Sequence, residues 1–259
     1  MTARDQALAV APGFPRYFRI AGSWVNSYKV FLCIGIYLGI LVSAATAQAS
    51  GLSALRVGAG SLVCAVIALV GARVYHVAVH LRAYRAAGLG AAIWNTRDGG
   101  WSIFGALVIV PFTLSLDSLF GIPAAVLWDH MAAGIAFGGA WIRFGCICNG
   151  CCVGRESRGW FALRQHDTRG VSKRRIPVEW LEIAWWLIVG LGLIWLWPQR
   201  LPSGCYALGV LGWYGVGRFW LEPLREAPEL VYGRVRVNQV VAAALATVAG
   251  AGLLVIACR

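Results

Sequence analysis

Seven long apolar runs constrain the fold of this chain more than any other feature. They extend roughly from Tyr28 to Ala47, Gly60 to Leu81, Trp101 to Leu116, Pro123 to Phe144, Trp180 to Trp197, Cys205 to Leu221 and Asn238 to Ala257. About 20 apolar residues cross the hydrocarbon core of a bilayer, and a helix satisfies its own backbone there. Charged residues make up only 13% of the chain, against about 25% in a soluble domain. So few charges cannot solvate a water-exposed surface, which excludes a soluble enzyme. The expected fold is all-α: a polytopic membrane protein of about seven transmembrane helices, forming one integral membrane domain over residues 1–259. Trp24, Trp94, Trp101, Trp128, Trp160, Trp180 and Trp197 fall near run ends, as an interfacial aromatic belt requires. No repeat of fixed period and no low-complexity tract interrupts the pattern.

The net charge is +12, which in a soluble protein would suggest nucleic acid. Here the basic residues crowd at run ends and in the stretch Arg155–Arg175, where seven Lys/Arg face two acids. That placement suits anionic headgroups and the positive-inside bias, so no nucleic-acid partner is expected. The stretch separates the fourth and fifth runs and is long enough for a small cap outside the membrane. Residues 1–27 hold Arg4, Pro12, Pro15, Arg16 and Arg19 without an apolar core, so they do not read as a secretory signal.

Ionisable groups within apolar runs each cost at least about 2.5 kcal/mol at mid-bilayer, so they mark function by default. Arg73 lies in the second run, Arg143 ends the fourth, and Arg218 and Glu222 end the sixth. The plain reading is snorkelling to the headgroups, or an Arg218–Glu222 pair one helical turn apart. Three arginines beside glycine-rich turns favour a shared anionic ligand instead, since a guanidinium grips phosphate bidentately. With Glu222 the one acid in comparable context, Arg143 and Arg218 are expected to converge on a lipid phosphate.

The densest motif is Arg143-Phe-Gly-Cys-Ile-Cys-Asn-Gly-Cys-Cys-Val-Gly-Arg155. Its glycines, Gly150 and Gly154 among them, permit sharp turns and close approach to a ligand, and Asn149 offers both a donor and an acceptor. Cys146, Cys148, Cys151 and Cys152 supply thiols, but no second ligand knuckle follows. They are therefore expected to form a disulfide or pack as thiols, with no metal and no other cofactor. The four remaining cysteines (Cys33, Cys64, Cys205, Cys258) sit singly in apolar runs, as small buried hydrophobes do. His76 and His80 share a helix face, yet no acid lies near to complete a site. His130 follows Asp129 and is a weaker candidate for a base.

Taken in order, these pieces resemble the prolipoprotein diacylglyceryl transferase family, integral membrane enzymes that lipidate bacterial lipoprotein precursors. The resemblance starts at Ser27-Tyr28 and continues through Gly71-Ala72-Arg73-Val74-Tyr75 and Asp98-Gly99-Gly100-Trp101-Ser102. It then takes in Asp129, the signature from Arg143 to Arg155, Pro177 to Glu182, and Tyr214-Gly-Val-Gly-Arg218-Phe-Trp-Leu-Glu222 with Arg225. The family signature usually reads Arg-x-Gly-Asn-Phe-x-Asn-Gly-Glu; here Cys146 replaces the first Asn and Cys151 the Glu. Phe104 stands where the family has a histidine proposed as base. The family's His-Pro-x-Gln-x-Tyr-Glu has become Ile176-Pro177-Val-Glu179-Trp-Leu-Glu182. The chain is similar to a divergent Gly-Cys-Cys branch that keeps arginines and glycines and loses proton-handling groups.

The resemblance implies a multi-pass protein of the bacterial inner membrane. It implies transfer of a diacylglyceryl group from phosphatidylglycerol to the lipobox cysteine thiol of a lipoprotein precursor, releasing glycerol phosphate. Arg143 and Arg218 would hold the phosphate, with Tyr28 and Glu222 as further catalytic candidates. Arg73, Gly99, Gly100, Asn149, Gly150, Gly154 and Tyr214 would shape the substrate site. The alternative is a non-catalytic lipid-binding or thiol-sensing protein derived from that fold. An anion transporter is a third reading, without the inverted repeats such proteins often show. Charge counting places the basic cap in the cytoplasm; the family resemblance places it outside, and the latter is preferred because lipid-binding arginines explain the charge bias.

Overall fold

The computed structural model describes residues 14–86, 88, 90, 119–226, 231, 232 and 235–258. A hairpin of β1 (Tyr17–Ile20) and β2 (Ser23–Asn26) precedes α1 (Ser27–Ala49), followed by α2 (Ala54–Val79) and the short α3 (Leu81–Ala86). Next come α4 (Ala124–Asn149), the hairpin β3 (Leu163–His166) and β4 (Ser172–Arg175), and α5 (Val178–Leu196). After α6 (Cys205–Leu221), the small pair β5 (Val231–Tyr232) and β6 (Val235–Arg236) leads into α7 (Val237–Ala257). All three strand pairs are antiparallel.

The protein is a mostly helical polytopic membrane protein. Among the described residues, five helices are long and apolar enough to cross a membrane: α1, α2, α4, α5 and α7. Helix α6 has 17 residues; at about 1.5 Å per residue it falls short of a hydrocarbon core about 30 Å thick. The expected third run, Trp101 to Leu116, lies outside the described residues. Elsewhere the run ends anticipated from hydropathy fall near the helix ends, except that α2 begins at Ala54 rather than Gly60 and α4 runs on past Phe144 to Asn149. The cap expected between the fourth and fifth runs is the β3–β4 hairpin with its flanking loop.

Contacts divide the described residues into two compact units, one running from Ser43 to Leu127 and the other comprising the residues up to Val42 and from Trp128 onward. In the unit from Ser43 to Leu127, Ser53 caps α2, its hydroxyl accepting from the Arg56 N–H at 3.3 Å. The Arg73 guanidinium lies 5.5 Å from the centroid of the Tyr84 ring. His76 and His80 stack at 4.4 Å, sharing a face as their spacing requires.

The other unit is held by close helix crossings. Lipid tails are as apolar as leucine, so helices associate by letting backbones approach closely at small residues. Gly35 and Gly39 of α1 meet Gly138 and Gly134 of α4, and a Cβ added at Gly35 would come within 2.6 Å of the Gly138 carbonyl oxygen. Gly139 and Gly217 similarly accommodate the indoles of Trp186 and Trp185. Trp185 and Trp213 stack at 4.2 Å, and each indole N–H donates to the other's backbone carbonyl at 2.9 Å. Asp129 caps α6 from a distance: its carboxylate accepts from the Gly204 N–H at 2.6 Å and the Ala207 N–H at 2.8 Å. That satisfies donors at a helix start whose own N-cap is glycine. His130 is buried against Trp197. On α5, Ile188, Leu191, Ile194 and Trp195 stand exposed, an apolar face that suits acyl chains.

Candidate functional site

The start of α5 carries two acids one turn apart, Glu179 and Glu182, both buried. Glu182 is the hub of the site. Its carboxylate lies 3.0 Å from Arg143 Nε of α4, 3.2 Å from Arg218 Nη1 of α6 and 2.7 Å from Arg225 Nη2 just beyond α6. Glu222 forms the second anchor. It pairs with Arg218 Nη2 at 3.0 Å, lies 4.0 Å from Arg225 Nε, and accepts from Asn238 Nδ2 of α7 at 2.9 Å. Arg236 Nη1 donates to the Glu222 backbone carbonyl at 2.6 Å. The end of α4, the start of α5, the end of α6 and the start of α7 thus meet through charge. A carboxylate is needed here because an unpaired guanidinium in this setting would keep its full desolvation cost.

The backbone that follows α4 is shaped for this meeting. Gly150 ends the helix in the left-handed region, φ +70°, and Cys152 also has positive φ, +65°. Gly154 forms a bridge with Arg225, and any Cβ at Gly154 would collide with the Ile176 carbonyl oxygen. Around that bridge the Arg155 N–H donates to Leu224 O at 2.8 Å, the Ile176 N–H to Arg155 O at 3.0 Å and the Glu226 N–H to Val153 O at 3.1 Å. This seam sets Arg225 against Glu182. Burial works against the Arg225 charge, but Glu182 and Cys152 more than offset it, holding its pKa above the ordinary value.

Asn149, at the last position of α4, accepts from Asn26 Nδ2 at 2.9 Å, and Asn26 Oδ1 accepts from the Tyr28 N–H at 2.9 Å. Asn26 thereby joins the start of α1 to the end of α4, with Tyr28 in electrostatic reach of Arg143 and Cys146. Tyr214 stacks on Trp186, ring centroids 5.6 Å apart, one turn before Arg218. A cavity of about 350 Å³ opens between the end of α4 and the cap hairpin, lined by Cys148, Asn149, Gly150, Gln165 and Glu179 among others.

All eight cysteines are free thiols. Cys146, Cys151 and Cys152 bring their Sγ atoms within 4.8 Å of one another, while Cys148 turns to the cavity. Of the single cysteines only Cys64 is buried; Cys33 and Cys258 are exposed and Cys205 is intermediate, so burial does not account for them as a class. Hydrogen bonds from the Cys146 and Cys151 thiols, with Arg225 and Arg143 nearby, hold the Cys152 thiol below the ordinary range.

Of the site residues expected from the sequence, Arg143, Arg218, Glu222, Asn149, Gly150, Gly154 and Tyr28 stand at or near the ends of α1, α4 and α6, with Tyr214 one turn before Arg218. Arg73 lies in the other compact unit, and Gly99, Gly100 and Phe104 lie outside the described residues. One expectation is corrected. Glu222 is not the sole acid available to the arginines, because the fold carries Glu182 into contact with both Arg143 and Arg218. Sequence reasoning missed Glu182, Arg225 and Asn238 as partners, although Glu182 and Arg225 stood in the motifs quoted.

The family profile of prolipoprotein diacylglyceryl transferase matches residues 15–256. The chain belongs to this family. A phosphatidylglycerol–prolipoprotein diacylglyceryl transferase of Clostridium kluyveri is 28% identical over 246 residues, covering 88% of this chain and 90% of the relative. Relatives with the same name from Mycolicibacterium paratuberculosis and Mycobacterium avium are each 30% identical over 240 residues, 83% of this chain. Those mycobacterial proteins are longer, and the chain spans 55% and 53% of them. Membership in the prolipoprotein diacylglyceryl transferase family fits the helical membrane fold.

Proposed function

We propose that this protein is a transferase of the bacterial inner membrane that moves a diacylglyceryl group from phosphatidylglycerol to the lipobox cysteine of a lipoprotein precursor. The observation that carries the reading is the convergence of Arg143, Arg218 and Arg225 on Glu182 at adjacent helix ends. With Arg236, four guanidinium groups meet two carboxylates, so the cluster keeps positive charge for an anionic headgroup. Arg143 and Arg218 hold the lipid phosphate and neutralise charge that develops on the departing glycerol phosphate. Glu182 and Glu222 pre-orient those guanidinium groups. Asn149, Gly150 and Gly154 shape the backbone around the reacting centre, and Tyr28 and Tyr214 orient the substrates. Arg73, Gly99 and Gly100 remain substrate-binding candidates from the family motifs. The acceptor is a thiol, a few per cent thiolate at neutral pH and strongly nucleophilic, so the reaction survives Phe104 at the motif histidine's position. The cluster and the cap face the exported side, where the precursor arrives.

The relatives named above all carry the transferase name, which disfavours the non-catalytic alternative. The test is rescue of a bacterium depleted of its own lipoprotein transferase, read as lipidated precursor by mass spectrometry. Wild-type rescue with loss in Arg143→Ala and Arg218→Ala is expected. Failure of the well-expressed wild-type chain to lipidate any precursor would overturn the reading.

A further inference from the structure

Cys146 closes the last turns of α4, three residues before the helix ends at Asn149. The positive φ of Gly150 then reverses the chain, and Cys151 folds back so that its N–H donates to the Cys146 carbonyl at 3.2 Å. Cys152 takes a positive φ of its own, a conformation strained for a residue with a Cβ that persists where the surroundings impose it. The result is three sulfurs within 4.8 Å of one another. Zn–S bonds of about 2.3 Å place the sulfurs of a tetrahedral site about 3.8 Å apart, so sub-ångström to ångström shifts would close this one.

We propose that Cys146, Cys151 and Cys152 hold one zinc ion through three thiolates and leave its fourth position open. A soft thiolate set selects zinc over hard cations, and three protein ligands with one free position is the arrangement of zinc sites that do chemistry. The ion with three thiolates carries one negative charge, which the arginine excess of the adjoining cluster neutralises. Sequence spacing argued against a metal because the motif has no second knuckle. The reversal at Gly150 provides the third sulfur without one. Cys148 points to the cavity and takes no part.

On the transferase reading, which this role requires, the open position takes the acceptor thiol. The S–H proton passes to water and the sulfur binds as thiolate. The sulfur then forms a bond to the glyceryl carbon while that carbon's bond to the phosphate oxygen breaks, and glycerol phosphate leaves with the electron pair. Zinc thereby raises the thiolate fraction of an acceptor that has no motif histidine beside it, Phe104 standing in that position.

The full chain, purified in detergent without chelators, should contain about one zinc ion per molecule by elemental analysis. Cys146→Ser, Cys151→Ser and Cys152→Ser should each lose it, and Cys148→Ser should keep it. Exchange of the wild-type protein with cobalt should give a thiolate-to-cobalt charge-transfer band, a readout that needs no variant to fold. Absence of metal, a disulfide among the three cysteines, iron or copper in place of zinc, or zinc retained in the triple serine variant would each overturn the site. Zinc bound without any lipid transfer would leave the site standing and overturn the transferase reading, whereas transfer by metal-free protein would leave the transferase reading standing and overturn the role of zinc in it.

Discussion

Arg143, Arg218 and Arg225 reach inward onto Glu182 with side chains no more than 16% exposed, whereas Arg164, Arg169 and Lys173 of the cap project into solvent, Arg169 with 79% of its side chain exposed. Residue type does not distinguish the two groups. The cap holds the denser basic run, yet its charges are spread, hydrated and paired locally, as Lys173 is with Glu156. Exposed pairs of that kind contribute about 0–1 kcal/mol. In the cluster, each guanidinium has surrendered water and depends on its carboxylate, and removing one partner from a buried pair costs about 3–5 kcal/mol. One cap arginine crosses the divide. Arg175 is buried, pairing with Glu226 and lying 3.6 Å from Asp167, and so fastens the hairpin to the seam beside the cluster.

The sharpest break in that comparison comes from Glu182→Ala. It removes a carboxylate from three arginines at once, leaving Arg218 and Arg225 with Glu222 alone, and should lower stability by about 3–5 kcal/mol, measured as loss of folded protein in a detergent thermal-unfolding assay. Unchanged stability would mean that water, not Glu182, satisfies those guanidinium groups. Arg218→Ala and Arg143→Ala come next. Each removes charged hydrogen bonds worth about 1.5–3 kcal/mol, so transfer activity should fall at least about tenfold. Arg218→Lys should recover only part, since an ammonium cannot fork between Glu182 and Glu222. Full recovery would reduce the site to bulk positive charge.

A smaller effect belongs to Asp167, whose carboxylate accepts from the Arg169 and Val171 N–H groups at 2.8 and 3.0 Å. Burial opposes its charge, but those bonds and the charges of Arg169 and Arg175 hold its pKa below the ordinary carboxylate range. A depressed folded value means that its stabilisation is complete above the unfolded pKa of about 3.9 and is lost as pH falls through the folded value. Amide protection factors in the hairpin turn, corrected for intrinsic exchange, should therefore fall on acidification below about pH 4, and Asp167→Asn should remove that pH dependence. Arg164→Ala should change transfer activity least. A loss as large as that of Arg218→Ala would erase the distinction between the two basic regions.

The helix ends were legible because hydropathy alone governs which segments can enter lipid. The runs predicted from Cys205 to Leu221 and from Asn238 to Ala257 correspond to α6 and α7 almost residue for residue. Missed were the β1–β2 hairpin and the Asp129 cap on α6, since both rest on contacts between distant segments. Within the site, the Arg218–Glu222 pair could be read from helical spacing, and it forms at 3.0 Å. Glu182 could not, because its bond to Arg143 joins separate helices and nothing in local spacing sets their rotation.

By itself the sequence determined that this chain lives in a membrane as a bundle of helices, and that arginines and cysteines collect near Gly150. Burial of apolar runs and the cost of a charge in lipid are properties of each segment alone. Tertiary structure decided which acid answers which arginine and which cysteines meet. Those choices depend on helix rotation, on the glycine crossings that bring α1 to α4, and on the reversal at Gly150 that carries Cys151 and Cys152 back to Cys146. Such contacts are fixed by packing over the whole fold, so no window of sequence contains them.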